Sequence, residues 1–416
     1  MLRMVLGLFV SIAVARYLGP KDFGLYNYVL SIVALVAVLG NLGLQNLAKR
    51  ELVANPEARD EVLGTCFVLS AISGLLAYGL MLWVVEATTH SSLLLGLFAL
   101  MGGQLLSNPF KCSEIWFQSQ VRSDLSVKAT SISLILFAVV KIIAIVKGLH
   151  LIGFAYIFLL EAVSVVGIQA IYYLRNYGPI WRWRIQWAKA ARFLSNSWPL
   201  IVSGLAVMVY MRIDQVMLGA MVGEQAVGEY AAATRISNVW HFIPQILATS
   251  LFPAIMSSKV GDPEVYSQRV DRFLDLNVSL AYLITLPLYF IAPFLVVGLF
   301  GDAYVNAASI LQIHVWSLIF VFVGVARGQL LMAEGLFRFS MCSTLLGAVV
   351  NVAGNMILIP RFSAQGAAVA TLISQATAAY FSNFLLPSTQ GIGLRLTRSL
   401  LLLNMPTYIK NEKNTN

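Results

Sequence analysis

Charge is what this 416-residue chain has least of: Asp, Glu, Lys and Arg make up 11% of it, against 59% hydrophobic residues. A water-soluble domain carries about a quarter charged residues, so the chain reads as an integral membrane protein. Cysteine is nearly absent. Cys66, Cys112 and Cys342 lie far apart in the sequence, which excludes a recognisable disulfide or metal framework and leaves thiols packed unpaired among helices. No Gly-rich phosphate loop, His-Glu-x-x-His pair or nucleophile elbow occurs, and the four histidines, His90, His150, His241 and His314, are scattered. Nothing here calls for an enzyme, a cofactor or a metal. Acidic residues are outnumbered 28 to 19, giving a net charge of +9. The excess sits in short loops between apolar runs, where it reports membrane orientation rather than nucleic-acid binding.

Apolar runs fill the rest. A membrane-spanning helix needs about 20 such residues, and runs of that kind place helices near 3–18, 25–44, 62–85, 91–110, 128–147, 151–174, 197–221, 227–256, 273–298, 307–331, 338–359 and 364–386. The first has the early Arg3 and the Ala13-Val14-Ala15 ending of a secretory signal. It runs directly into a turn repeated later in the chain, and so reads as a transmembrane helix. With the N-terminus inside, the inner loops hold 20 basic residues and the outer loops four, so both termini are expected to be cytoplasmic.

The repeated turn is Arg16-Tyr-Leu-Gly-Pro-Lys-Asp-Phe-Gly-Leu-Tyr26. Its glycines and tyrosine, Gly19, Gly24 and Tyr26, recur as Gly223, Gly228 and Tyr230, an offset of 204 residues. Ala138-Val-Val-Lys141 and Ala348-Val-Val-Asn351 form a second pair, and Gly153 and Gly366 a third. The expectation is two parallel six-helix repeats, related by an axis along the membrane normal: a bundle over 1–175, a linker over 176–196, a second bundle over 197–386 and a cytoplasmic tail over 387–416. The linker mixes Trp181, Trp183 and Trp187 with Arg182, Arg184, Lys189 and Arg192, a composition suited to an interfacial helix on the anionic inner leaflet.

Six charged groups fall four or more residues inside the expected spans: Lys141, Arg212, Arg235 and Arg327, with Glu161 and Asp214. Each costs about 2.5–3.5 kcal/mol at mid-bilayer and should face a cavity or a partner. Arg212 and Arg235 lie roughly 14 and 12 Å below the outer ends of consecutive antiparallel helices, a depth at which both could reach one cavity. Arg212 and Asp214, about 200° apart on one helix, cannot pair. Arg327, near an inner helix end, reads as snorkelling to water. An internal ion pair holding helices together is the alternative role for Lys141, Arg212 and Arg235. His241, alone in a span, is a weak proton-relay candidate.

The stretch Ala15-Arg-Tyr-Leu-Gly-Pro-Lys-Asp-Phe-Gly-Leu-Tyr26, with Ile213-Asp214, Leu218-Gly219, Val227-Gly-Glu-Tyr230, Ala233, Arg235 and Gly366-Ala-Ala-Val-Ala370, resembles the polysaccharide (O-antigen type) flippases of the multidrug/oligosaccharidyl-lipid/polysaccharide (MOP) exporter superfamily. The resemblance implies two six-helix bundles around a V-shaped central cavity in the bacterial cytoplasmic (inner) membrane. It also implies transfer of an undecaprenyl-diphosphate-linked oligosaccharide between leaflets by alternating access. On that reading Arg212, Arg235, Lys141 and Asn351 hold the diphosphate and sugar, and Glu161 or Asp214 supplies counter-charge or H⁺ or Na⁺ coupling. Arg327 and His241 are secondary candidates. The partners are the lipid-linked oligosaccharide and membrane lipids, with a polysaccharide polymerase and a chain-length regulator as the protein partners such a role calls for. A cation-coupled multidrug antiporter of the same superfamily and a membrane scaffold for polysaccharide assembly are the competing readings.

Overall fold

The computed structural model describes residues 2–89, 91–259 and 262–403, so His90, Lys410 and Lys413 lie outside the described residues. Among those described, all regular structure is helical. Ten elements are long and apolar enough to cross a membrane. Their outward faces carry large apolar side chains, among them Leu76, Trp83, Phe290 and Phe294, all more than half exposed. Surfaces of that kind suit lipid rather than water, and the protein is a multi-pass membrane protein.

The chain divides into two compact units, 1–216 and 217–416. The first contains α1 (Leu2–Asn41), α2 (Leu44–Ala54), α3 (Arg59–Thr88), α4 (Ser92–Gly102), α5 (Cys112–Ser119), α6 (Ser123–Val146), α7 (Leu151–Tyr177) and most of α8 (Trp187–Met221). The second contains α9 (Glu224–Asn238), α10 (Phe242–Lys259), α11 (Pro263–Phe300), α12 (Ala307–His314), α13 (Ser317–Ala333), α14 (Phe337–Ala379) and α15 (Pro387–Leu400).

Ten elements stand where the sequence predicts twelve spans, and the difference lies in two of them. The expected helices 3–18 and 25–44 both fall in Val5–Ala54, and 338–359 and 364–386 both fall in Phe337–Phe384. At about 1.5 Å per residue either element, if straight, exceeds twice the hydrocarbon thickness. Neither is straight: α1 breaks at Gly19 (φ 74°, ψ 170°) and α14 at Ser363 (φ 51°, ψ −133°).

The repeated turn has one backbone form in both copies. Gly223, the N-cap of α9, has φ 119° and ψ 177°, the same open region that Gly19 occupies. Only glycine enters that region without strain. The Gly-x4-Gly-x-Tyr pattern is thus a corner, with Gly24 and Gly228 buried just inside the helix that follows each turn.

Three parts bear on the sequence reading, two as corrections and one as expected. No interfacial helix forms over 176–196: α7 runs to Tyr177, a single 3₁₀ turn covers Ile180–Arg182, and α8 begins at Trp187. Pro179 and the extended Trp183 break the helical path. The segment docks on the first unit instead. The Arg184 N–H donates to the Asp60 carbonyl at 2.9 Å, and the Gln186 N–H to Thr65 Oγ1 at 3.0 Å. Trp183 donates to Tyr173 Oη at 2.9 Å and lies edge-on to Phe67. Second, as expected, Cys66 and Cys112 are free thiols, and though distant in sequence they are buried in one core with Leu63, Phe117 and Tyr173. Third, part of the expected tail is helix α15, held to α11 by Arg395, whose guanidinium reaches Asp271 at 3.0 Å and Ser267 Oγ at 2.8 Å.

Candidate functional site

In the first unit α6 and α7 lie side by side, and their facing polar groups find one another. Lys141 Nζ sits 2.6 Å from Glu161 Oε2, each side chain about one-fifth exposed. Eight residues earlier on α6, Ser133 hydrogen-bonds to Ser164 and to the Glu161 carbonyl. Of the two roles left open for Lys141, the structure has the interhelical ion pair. Glu161 is therefore not a free carboxylate.

The helix α8 packs antiparallel along α1. Ser31 donates to Gln215 Oε1 at 2.6 Å, Val38 touches the Gly204 backbone, and Leu200 lies against Gly43. On α8, Asp214 is buried, whereas Arg212 is half-buried. Arg212 has no hydrogen bond or ion pair among the described residues, so it and Asp214 do not pair, as their 200° separation requires. The apolar stretch of α8 thus carries a guanidinium with no ion pair among the described residues.

In the second unit, Arg235 occupies the last turn of α9, half-buried, where a cation also meets the negative end of the helix dipole. The expectation that Arg327 snorkels to water is overturned. Arg327 is 5% exposed, and its guanidinium donates to Asn383 Oδ1 at 2.7 Å, Ser343 Oγ at 3.0 Å and Ser382 Oγ at 3.2 Å. Phe339 lies 5.2 Å from Cζ. All of these hydrogen-bond partners are neutral, and the compensating field comes from the C-terminal end of α14, which stops at Ala379 just before the 381–384 turn. Arg327 therefore fastens α13 to the start of α14 and to the turn that follows it.

Asn351 is fully buried on α14. Its Oδ1 accepts from Asn355 Nδ2 at 3.3 Å, and its Nδ2 has no hydrogen-bond partner among the described residues. His241 stands in the 3₁₀ turn between α9 and α10, its Nε2 buried and without a hydrogen bond among the described residues. His314 lies on α12. Its Nδ1 is 2.8 Å from Ser237 Oγ, and its ring lies edge-on to Tyr230.

Comparison with known proteins follows from this geometry. Residues 1–259 match the family model described as "Polysaccharide biosynthesis protein". Two relatives come from Haloferax volcanii. The probable low-salt glycan biosynthesis flippase Agl15 is 28% identical over 206 residues, 47% of this chain and 43% of the relative. The probable flippase AglR is 25% identical over 399 residues, 88% of this chain and 77% of the relative. The chain spans less than half the length of the first. Among solved structures, the lipid II flippase MurJ in an inward closed conformation superposes with a TM-score of 0.77 at 14% identity, covering 98% of this chain and 91% of that one. An inward-facing multidrug resistance MATE family transporter of the MOP superfamily gives 0.75 at 17% identity, covering 95% and 96%.

At such identities the likeness is one of fold, shared with the MurJ and MATE transporter structures. The family is narrower: the chain belongs to the polysaccharide biosynthesis protein family.

Proposed function

We propose that the protein is a flippase that moves a lipid-linked saccharide across the cytoplasmic membrane by alternating access, with both termini in the cytoplasm. The observation that carries this reading is Arg212, a guanidinium set in an apolar helix with no hydrogen bond or ion pair among the described residues. A diphosphate supplies the anion such a group needs, because Arg binds phosphate oxygens bidentately. Family membership and the two flippase relatives support the same substrate class. Arg235 and Asn351 serve as further headgroup contacts, and the carrier is undecaprenyl diphosphate bearing an O-antigen-like unit. A polymerase and a chain-length regulator act downstream of it.

The competing antiporter reading needs a free carboxylate in the first half to take up a cation. The 2.6 Å Lys141–Glu161 contact argues against Glu161 in that role. Outside that half, Asp214 is the candidate for H⁺ or Na⁺ coupling, with His241 as a secondary proton carrier. Deleting the gene tests the choice: loss of surface polysaccharide with unchanged dye efflux supports the flippase, and the reverse supports the antiporter. A scaffold role is excluded if labelled lipid-linked saccharide crosses proteoliposome membranes that contain the purified protein alone.

A further inference from the structure

The second unit holds a cavity of about 700 Å³ that uses none of the candidate residues above. That volume is within the range of small-molecule sites, about 300–1,000 Å³. One wall is α9, which contributes Glu229; another is Asn306 at the start of α12; the third is the broken stretch of α14, with Arg361, Ser363 and Gln365. The break at Ser363 matters, because an unbroken α14 would not turn its backbone aside here.

Glu229 is 8% exposed. Its Oε1 accepts from Gln225 Nε2 and from Asn306 Nδ2, both at 3.2 Å, and among the described residues no hydrogen bond reaches Oε2. Glu229 lines the cavity, so a donor entering it could serve the second oxygen. Arg361 is exposed, lines the same cavity, and has neither hydrogen bond nor ion pair among the described residues. Two opposite charges thus share one cavity without pairing. Each excludes a simple ligand: a lone cation would suit Glu229 but be repelled by Arg361, and a lone anion the converse. A molecule with hydroxyl donors at one end and a phosphate at the other satisfies both.

We propose that this cavity is a binding site for a polyol phosphate, with vicinal hydroxyls on Glu229 and Asn306 and the phosphate on Arg361. The glycosyl phosphate head of the transported lipid and the glycerophosphate head of a membrane lipid share this chemistry. In naming the first source the proposal rests on the flippase reading above.

The test is isothermal titration of the purified full chain in detergent with N-acetylglucosamine 1-phosphate, glycerol 1-phosphate, N-acetylglucosamine and inorganic phosphate. At least one of the two polyol phosphates should bind the wild type, and Glu229→Gln and Arg361→Gln should each weaken it tenfold or more. Arg361 is exposed and unpaired, so its variant should fold normally, and Asn306→Ala serves should Glu229→Gln prove unstable. The proposal is overturned if neither polyol phosphate binds, if the variants bind as the wild type does, or if inorganic phosphate binds as tightly as either. Tenfold tighter binding of the sugar phosphate assigns the site to the transported lipid, and the reverse order assigns it to a membrane lipid; both uphold the site. Proteoliposomes that bind the sugar phosphate but do not move labelled lipid-linked saccharide would uphold the cavity and reject the transport reading alone.

Discussion

Lys141 Nζ and Glu161 Oε2, 2.6 Å apart, tie α6 to α7 through an ion pair inside two otherwise apolar helices. Breaking such a pair from one side strands a charge, whereas removing both leaves an apolar contact. Lys141→Met should therefore lower stability by about 3–5 kcal/mol. The double variant Lys141→Met/Glu161→Leu should return close to wild type in thermal unfolding in detergent. The double variant also separates the two roles of Lys141. Retained flipping makes it a structural staple; a stable protein that no longer flips makes it a substrate contact.

Much of this fold is written in local pattern. The apolar runs give the helices, and the Gly-x4-Gly-x-Tyr spacing marks two corners because Gly19 and Gly223 need the same positive φ. What the sequence does not display is which polar groups meet. Lys141 and Glu161 lie 20 residues apart and pair only because α6 and α7 are neighbours, while Arg327 finds Asn383 across 56 residues. Its neutral partners carry no charge pattern to signal a site, so depth alone suggested snorkelling. Glu229 escaped notice for another reason: it falls at the third residue of an expected span, close enough to the end to pass for a loop charge.

Arg212 allows a clean separation of binding from folding. With no carboxylate relying on it among the described residues, Arg212→Ala leaves no stranded partner. The variant should keep wild-type protein levels and thermal stability yet lose lipid-linked saccharide transport and surface polysaccharide. Arg212→Lys keeps the charge but loses the planar fork, so partial activity would show that charge suffices, and none that bidentate geometry is needed. Full activity in Arg212→Ala would remove it from the site.

Arg327 should behave in the opposite way. Arg327→Met orphans the acceptors on Asn383, Ser343 and Ser382, each buried, at about 1–3 kcal/mol per unsatisfied group. The expected result is a marked loss of thermal stability, with the transport of whatever protein remains folded unchanged per molecule. Arg327→Lys should recover only part of the stability, since one ammonium cannot reach all three acceptors with a fork's geometry. A stable Arg327→Met protein with impaired transport would instead make Arg327 a substrate contact.

The glycine corners are testable by stability alone. At Gly223, φ 119° and ψ 177° lie in a region that side chains enter at a cost of about 1–3 kcal/mol. Gly223→Ala should be destabilised accordingly, although a Cβ there meets no atom within 4 Å. Gly79, inside helix α3 and with the same open surroundings, is the control. Its Ala variant should be neutral or up to about 1 kcal/mol more stable. Equal behaviour of the two would mean that the corner relaxes.

The docked linker rests on a closer contact. A Cβ on Gly64 would stand 2.4 Å from the Arg184 nitrogen and 2.5 Å from its carbonyl oxygen, both of them backbone atoms. Backbone cannot rotate aside as a side chain would, so Gly64→Ala must push the 183–186 segment off α3. That shift breaks the Arg184 N–H bond to Asp60 and the Gln186 N–H bond to Thr65. Overpacking of this kind costs about 1–3 kcal/mol. The released segment carries Arg182 and Arg184, two exposed trypsin sites whose backbone the docking holds in place. Limited trypsin digestion of the detergent-solubilised protein should cut Gly64→Ala there several-fold faster than wild type, while cleavage at Arg122, exposed at the start of α6 and far from this contact in sequence, stays the same. If Arg182 and Arg184 are cut equally in both proteins, the linker is not held by this contact.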